Sequence, residues 1–263
     1  MSPKRMSPKR TMKLLIVCSL LILTAPAGAE DWVEQRVAGP FQIRADFALD
    51  AYPQLIAQLE QLQRDLVDTL KLTPARQPIQ LFLFRDESSY RGYLNEYFPG
   101  APDRRALFIK GRGPGMVFAY QSAEFQVDVR HECTHALLHS MLPMVPLWLD
   151  EGLAEYFEVA PSDRARGNPH ESRTRWAAWL HQTRRLEQLE ALQDVSQMGA
   201  SEYRSAWAWV HFMLHGPRPA RVQLVAAMRD LQHDRTPESI SRRLRRAIPD
   251  LDSQFRHHFR TWK

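Results

Sequence analysis

Short apolar blocks separated by turn residues occupy the first part of the chain, a pattern typical of β-strands. The segment 32–47 predicts two short strands on either side of Gly39-Pro40, since glycine and proline mark turns. The block IQLFLF is apolar at all but one position, and it therefore predicts a strand at the centre of a sheet. The strands expected after the first two are Ile79–Phe84, 107–110 and Met116–Tyr120.

Helical periodicity dominates the remainder of the chain. Leucines recur every three or four positions over residues 50–71, which predicts an amphipathic helix. Further helices are expected at about 85–97, 171–185, 201–215, 218–231, 237–247 and 249–262. Four tryptophans stand at helical spacing and are expected in the core: Trp176, Trp179, Trp207 and Trp209. Strands early and helices late predict an α+β fold, with an N-terminal mixed sheet and a mostly helical C-terminal lobe.

Residues 1–29 have the parts of a secretory signal peptide. Five basic residues precede an apolar run at 14–23, and Ala27-Gly28-Ala29 then supplies a small-residue cleavage site. The run is shorter than the roughly 20 residues that span a bilayer, so no stable membrane span is expected after cleavage. We therefore expect a bacterial protein exported to the periplasm or secreted, with its folded domain in residues 30–263. The sequence leaves open whether the leader is cleaved or kept as an anchor.

The charge of the chain depends strongly on this leader. The full sequence carries 35 basic and 30 acidic residues. Because five of the basic residues and no acidic residue lie in 1–29, the remainder holds 30 of each and is formally neutral. A neutral domain argues against nucleic acid as a partner.

Of the two cysteines, only Cys133 lies outside the leader, which excludes an internal disulfide in the remainder.

Candidate chemistry centres on the segment HECTH, at residues 131–135. With about 3.6 residues per helical turn, His131 and His135 lie one turn apart on the same face. Two imidazoles in this arrangement can bind one Zn²⁺ at roughly 2.0–2.1 Å. Glu132 follows the first histidine directly, so its carboxylate can reach water on the metal and act as a general base.

A second helix is expected to supply the third ligand, since a catalytic zinc takes three protein ligands and one open position. Pro146 suits the first turn of this helix, and three acidic residues follow. Fifteen residues separate His135 from Glu151, enough to end one helix and bring the next one back, so Glu151 is the predicted third ligand. Asp150 and Glu155 are the candidates to accept a hydrogen bond from a ligand histidine and so orient its ring.

HECTH followed by WLDEGLAEYF resembles the gluzincins, the thermolysin-like clan of zinc metallopeptidases, and especially the bacterial peptidase MA-like group. The resemblance implies a zincin-like fold with the HExxH helix at the cleft. It also implies that His131, His135 and Glu151 bind zinc, with Glu132 as the general base. The implied domain has a sheet lobe with the zinc helix at 30–142 and a helical lobe at 143–263. Metzincins match poorly, because Leu138 and Met141 replace the glycine and histidine of their motif.

The same layout implies that the strand before the zinc helix is a sheet edge lining the cleft. We therefore predict that this strand binds an extended peptide substrate by strand addition, unless it is an ordinary edge strand without a ligand. Its residues are Met116, Val117, Phe118, Ala119 and Tyr120. The aminopeptidase motif GxMEN is absent at this point, where the sequence reads GMVFAY, which disfavours N-terminal exopeptidase action.

In gluzincins a tyrosine or histidine from a later helix often stabilises the oxyanion. Tyr203 is the predicted donor here, with His211 and Tyr156 as other choices and plain packing as the alternative role.

The predicted function is hydrolysis of peptide or protein substrates. A weakly catalytic or non-catalytic zinc-fold module for binding or assembly in the cell envelope remains the alternative, as does hydrolysis of another amide such as cell-wall peptide. Oligomeric state and cleavage specificity cannot be read from the sequence.

Overall fold

The computed structural model describes residues 32–74, 77–111, 113–235 and 238–262, so the predicted signal peptide lies outside the described residues. The strands are β1 (Glu34–Ala38), β2 (Phe41–Ala45), β3 (Ile79–Phe84), β4 (Ala106–Ile109) and β5 (Met116–Tyr120). The first helices are α1 (Pro53–Leu70), α2 (Glu87–Tyr97), α3 (Phe125–Met141), α4 (Leu147–Phe157) and α5 (Glu171–Trp179). They are followed by α6 (Leu186–Glu190), α7 (Ala200–His215), α8 (Arg218–Gln232), α9 (Ile240–Ala247) and α10 (Leu251–Thr261). The predicted α+β class is confirmed.

The five strands form one mixed sheet in the order β1-β2-β3-β5-β4. β2, β3 and β5 run parallel, while β1 and β4 pair antiparallel with their neighbours. β3 is central, as its apolar sequence predicts, because a central strand is buried on both faces.

The prediction that Met116–Tyr120 is the sheet edge is wrong. β5 pairs with β3 on one side and with β4 on the other, so Met116, Val117, Phe118, Ala119 and Tyr120 form no free edge. The chain forms β4 first and then turns back to form β5, which lies between β4 and the central strand β3. The edge nearest the zinc helix is therefore β4. Val117, Phe118 and Ala119 are all buried, although successive residues of a strand point to opposite faces of the sheet. Burial on both faces agrees with a position inside the sheet.

Helix α3 packs between the sheet, on the side of β4 and β5, and the helices α1 and α4. One face of the sheet packs Leu81, Leu83 and Val117 into the main core together with α1 and α3. The opposite face carries a smaller aromatic cluster with Phe82 and Phe118, which α2 covers. A helix held from several sides is rigid, and this rigidity suits a site whose side chains must keep fixed positions.

Helix α5 ends earlier than predicted and is more exposed. It stops at Trp179, and His181 then adopts φ 56°, in the left-handed region that ends a helix. Trp207 and Trp209 on α7 are each 1% exposed, as predicted for core residues. Trp176 and Trp179, however, are 69% and 57% exposed, so the core prediction is wrong for them.

In the described part of the chain, no helix combines the length and the apolar character that a membrane span requires.

Candidate metal centre

Three side-chain atoms from α3 and α4 converge on one point. His131 Nε2 and His135 Nε2 lie 3.2 Å apart, and each is 3.6 Å from Glu151 Oε2. A triangle with these sides has a circumscribed radius of about 2.0 Å, so an ion slightly out of its plane would lie at the ~2.0–2.1 Å typical of zinc bonds. Two imidazole nitrogens and one carboxylate oxygen are also a donor set that zinc favours. The structure thus brings together the three predicted ligands with spacing that fits zinc.

The site depends on how closely α4 meets α7. Gly152, next to Glu151, lies against the backbone of Ala206, and a Cβ at this position would be 2.7 Å from the Ala206 carbonyl oxygen. Only glycine allows this approach, which carries α7 and its Tyr203 toward the metal ligands. Sequence reasoning overlooked Gly152, although a glycine inside an otherwise regular helix signals a close contact.

Carboxylates face the second ring nitrogens of both histidines. The Nδ1–H of His131 donates to Glu158 Oε2 at 2.8 Å. His135 Nδ1 lies 3.0 Å from Asp150 Oδ1, in an ion pair too bent for a well-formed hydrogen bond. The other oxygen of Asp150 accepts from His139 Nε2 at 2.8 Å. With Nδ1 of each ligand ring turned toward an acid, Nε2 is left to face the cation.

Glu155 does not take the place expected for it. It was predicted to accept a hydrogen bond from a ligand histidine, but it accepts from His170 Nε2 at 2.8 Å. Glu158 makes the contact with His131 instead. Residues 151, 155 and 158 follow the i, i+4, i+7 pattern of one helix face, so Glu158 could have been found from spacing. Whether Glu155 or Glu158 contacts the ring of His131 depends on the angle at which α3 and α4 pack.

The electrostatics of the site favour a positive charge between the ligands. Burial opposes protonation of His131, but Glu151 and Glu158 outweigh it and raise its pKa to about 10. For Glu151, burial raises the pKa, but hydrogen bonds from His131 and His135 outweigh it and lower the pKa to about 2. Burial likewise opposes protonation of His135, yet Asp150 and Glu151 raise its pKa. A metal cation bound here must displace protons from the imidazoles.

Glu132 is half-buried beside the ligands and makes no hydrogen bond or ion pair with any described residue. Its carboxylate therefore remains available to a water molecule or a substrate. Tyr203 is close enough for its pKa to respond to the site: burial, and then the negative charge of Glu151, raise it to about 12. Its hydroxyl has no hydrogen-bond partner among the described residues.

The two other candidates for an oxyanion donor are engaged elsewhere. The hydroxyl of Tyr156 pairs with His215 Nε2 at 2.7 Å. His211 Nε2 donates to the carbonyl of Ala165 at 3.1 Å, and its Nδ1 lies 3.1 Å from a nitrogen of His258. Of the three candidates, only Tyr203 has a free hydrogen-bonding group near the metal ligands.

Comparison with known proteins supports the fold and no more. No protein-family model matches the sequence, and no curated protein matches it. Among solved structures, the chain is similar to the crystal structure of an M1 zinc metallopeptidase from Deinococcus radiodurans, with 14% identity and a TM-score of 0.50. The match covers 86% of this chain and 50% of that one, so the chain spans about half the length of that protein. The fold thus resembles that of a zinc metallopeptidase, with a potential His-His-Glu metal site in place.

Proposed function

We propose that this chain is an exported zinc-dependent metallopeptidase of the gluzincin type, related to the peptidase MA-like group. The convergence of His131 Nε2, His135 Nε2 and Glu151 Oε2, beside a Glu132 that pairs with no described residue, carries this proposal. The structural likeness to a zinc metallopeptidase and the HECTH…DEGLAEYF segment support it. Export rests on the signal-peptide pattern of residues 1–29.

The protein groups divide the chemistry among them. Zinc held by the three ligands would supply a Lewis acid and a water whose pKa is lowered to near 7. The Glu132 carboxylate accepts the proton of the attacking water and passes it to the nitrogen of the leaving amine. The hydroxyl of Tyr203, protonated at neutral pH because its pKa is about 12, donates a hydrogen bond to the developing oxyanion.

The edge strand β4 is the place for an extended substrate. Among the described strands it pairs with β5 alone, and it packs beside α3, the helix that carries both candidate histidine ligands, so its other side offers unpaired backbone groups to a substrate. A peptide that added to this edge would lie along the helix that carries Glu132. Strand addition recognises backbone more than side chains, which favours unfolded or extended peptides as substrates.

Metal analysis combined with mapping of cleavage sites in a denatured proteome tests the proposal. Purified residues 30–263 should hold about one zinc and cleave peptide bonds. Glu132→Gln should keep the zinc and lose activity by about 100- to 10,000-fold, the usual contribution of a general base. Full activity in a zinc-loaded Glu132→Gln protein would exclude Glu132 as the base. A zinc-loaded wild type that cuts nothing would instead favour a binding or assembly module.

A further inference from the structure

One face of α5 exposes large apolar side chains that have no role in the core. Trp176, Trp179 and Leu180 are 69%, 57% and 59% exposed. Their i, i+3, i+4 spacing places them on the same side of the helix end. The two indoles alone leave on the order of 250 Å² of mostly apolar surface in water. Exposed apolar patches of a few hundred Å² are commonly interaction sites.

The indole rings of this face are free of aromatic partners. Within the described residues, neither Trp176 nor Trp179 packs on another aromatic ring, whereas the buried Trp207 lies at a tilt against Phe259 and Trp209 stacks on Phe255. Trp179 has one cationic neighbour, because the guanidinium carbon of Arg260 lies 4.9 Å from its ring centre. The rings are therefore presented outward on a folded helix and are available to a partner.

Positive charge predominates around this face. Residues 171–187 contain four arginines and two glutamates, and both glutamates are paired, Glu171 with Arg175 and Glu187 with Arg245 on α9. Two of these arginines are neutralised, Arg175 by Glu171 and Arg184 by Glu202. The other two, Arg173 and Arg185, are exposed and form no ion pair with any described residue. The apolar face is thus flanked by unpaired positive charge, which is complementary to an anionic partner.

We propose that this face, defined by Trp176, Trp179 and Leu180 with Arg173 and Arg185, docks on the surface of an anionic lipid bilayer. Tryptophan and leucine insert at the boundary between headgroups and acyl chains, while arginine stays at the headgroups and attracts anionic lipid. Residues 30–263 are formally neutral, so a nucleic acid would meet only this local charge, without the extended basic surface that it requires. Insertion of apolar side chains together with a few positive charges favours binding to the surface of an anionic bilayer.

Docking at α5 would also place the candidate metal centre near the membrane. His170 directly precedes α5, and its ring donates to Glu155 on α4, the helix that carries Glu151. The membrane proposal does not depend on peptidase activity, because it rests on the exposed face alone.

Sedimentation with vesicles tests the proposal directly. Residues 31–263 form a compact unit of their own, so the chain from residue 30 is used, which removes the apolar leader as a source of binding. It is mixed with vesicles of phosphatidylcholine alone or of phosphatidylcholine and phosphatidylglycerol at 70:30. We expect binding to the anionic vesicles at least about tenfold stronger than to the neutral ones, and weaker at high salt.

Matched variants separate the apolar and the charged contributions. The double variant Trp176→Ala/Trp179→Ala should lose about tenfold or more in vesicle affinity, whereas Val37→Ala/Val222→Ala, at exposed positions elsewhere, should bind as wild type. Arg173→Glu/Arg185→Glu should lose at least about fivefold in affinity for anionic vesicles for each arginine removed. Arg242→Glu on α9 should bind these vesicles as the wild type does. Circular dichroism verifies that each variant is folded.

Three results would overturn the proposal. One is the absence of wild-type binding to anionic vesicles, and another is undiminished binding by the tryptophan double variant. The third is self-association of the wild type in solution that the double variant abolishes without any vesicle binding, because this result would assign the face to a second copy of the chain.

Discussion

The contact at Gly152 offers the sharpest test of how the metal centre is built. A Cβ at position 152 would lie 2.7 Å from the carbonyl oxygen of Ala206, 2.8 Å from its carbonyl carbon and 2.9 Å from Val210 Cγ2. Two of these atoms belong to the backbone of α7, so no side-chain rotation relieves the clash. To restore a contact of about 3.4 Å, α7 must move away from α4 by roughly 0.7 Å, which is an overpacking of the kind that costs about 1–3 kcal/mol.

Gly152→Ala should therefore destabilise the protein, even though alanine favours a helix by about 0.8–1.0 kcal/mol. The matched control is Gly92→Ala in the interior of α2, where nothing lies within 4 Å of the added Cβ. This control should gain the helix preference without any clash. The two variants should thus differ by about 1–3 kcal/mol, or about 2–12 °C in Tm for a protein of this size.

Thermal and urea unfolding of both variants measure this difference. We expect Gly152→Ala to unfold at a lower temperature than wild type and Gly92→Ala at a slightly higher one. Equal stability of the two variants would refute the close approach of α4 and α7. Because α7 carries Tyr203, the displacement should also lower peptidase activity while the zinc content stays near one.

Three further predictions concern the centre itself. Glu158→Gln should weaken zinc binding by about 10- to 100-fold because it removes the acceptor that orients His131, whereas the exposed Glu60→Gln should not; equal affinities in a chelator competition would contradict the role of Glu158. Zinc affinity should fall as the pH decreases from 8.5 to 6, by up to about tenfold per unit for each imidazole that must lose a proton. The sign follows from the pKa of His131, which is raised to about 10 so that protons compete with zinc below it, and a pH-independent affinity would refute this competition. Tyr203→Phe should reduce kcat by about 100- to 1,000-fold without loss of zinc, and a reduction below about threefold would leave the tyrosine a packing role.

The candidate ligands could be named from the sequence because their relation is largely local. Within one helix, the 3.6-residue period determines which side chains share a face, so His131 and His135 point the same way wherever the helix lies. The helical and strand periods likewise predict the α+β class and the central place of β3. Glu151 was within reach as well, since a short connection returns the chain to the same region.

What the tertiary structure alone decided is which elements become neighbours. The order of strands in a sheet does not follow their order in the chain, so only the fold shows that β4, and not β5, is the edge. The pairing of Glu158 with His131 and of Glu155 with His170 depends on the angle at which helices cross. The same holds for Trp176 and Trp179, whose helical spacing defines a face but cannot say whether another element covers it. Periodicity sets the direction of a side chain, whereas its partner comes from parts of the chain far away in sequence.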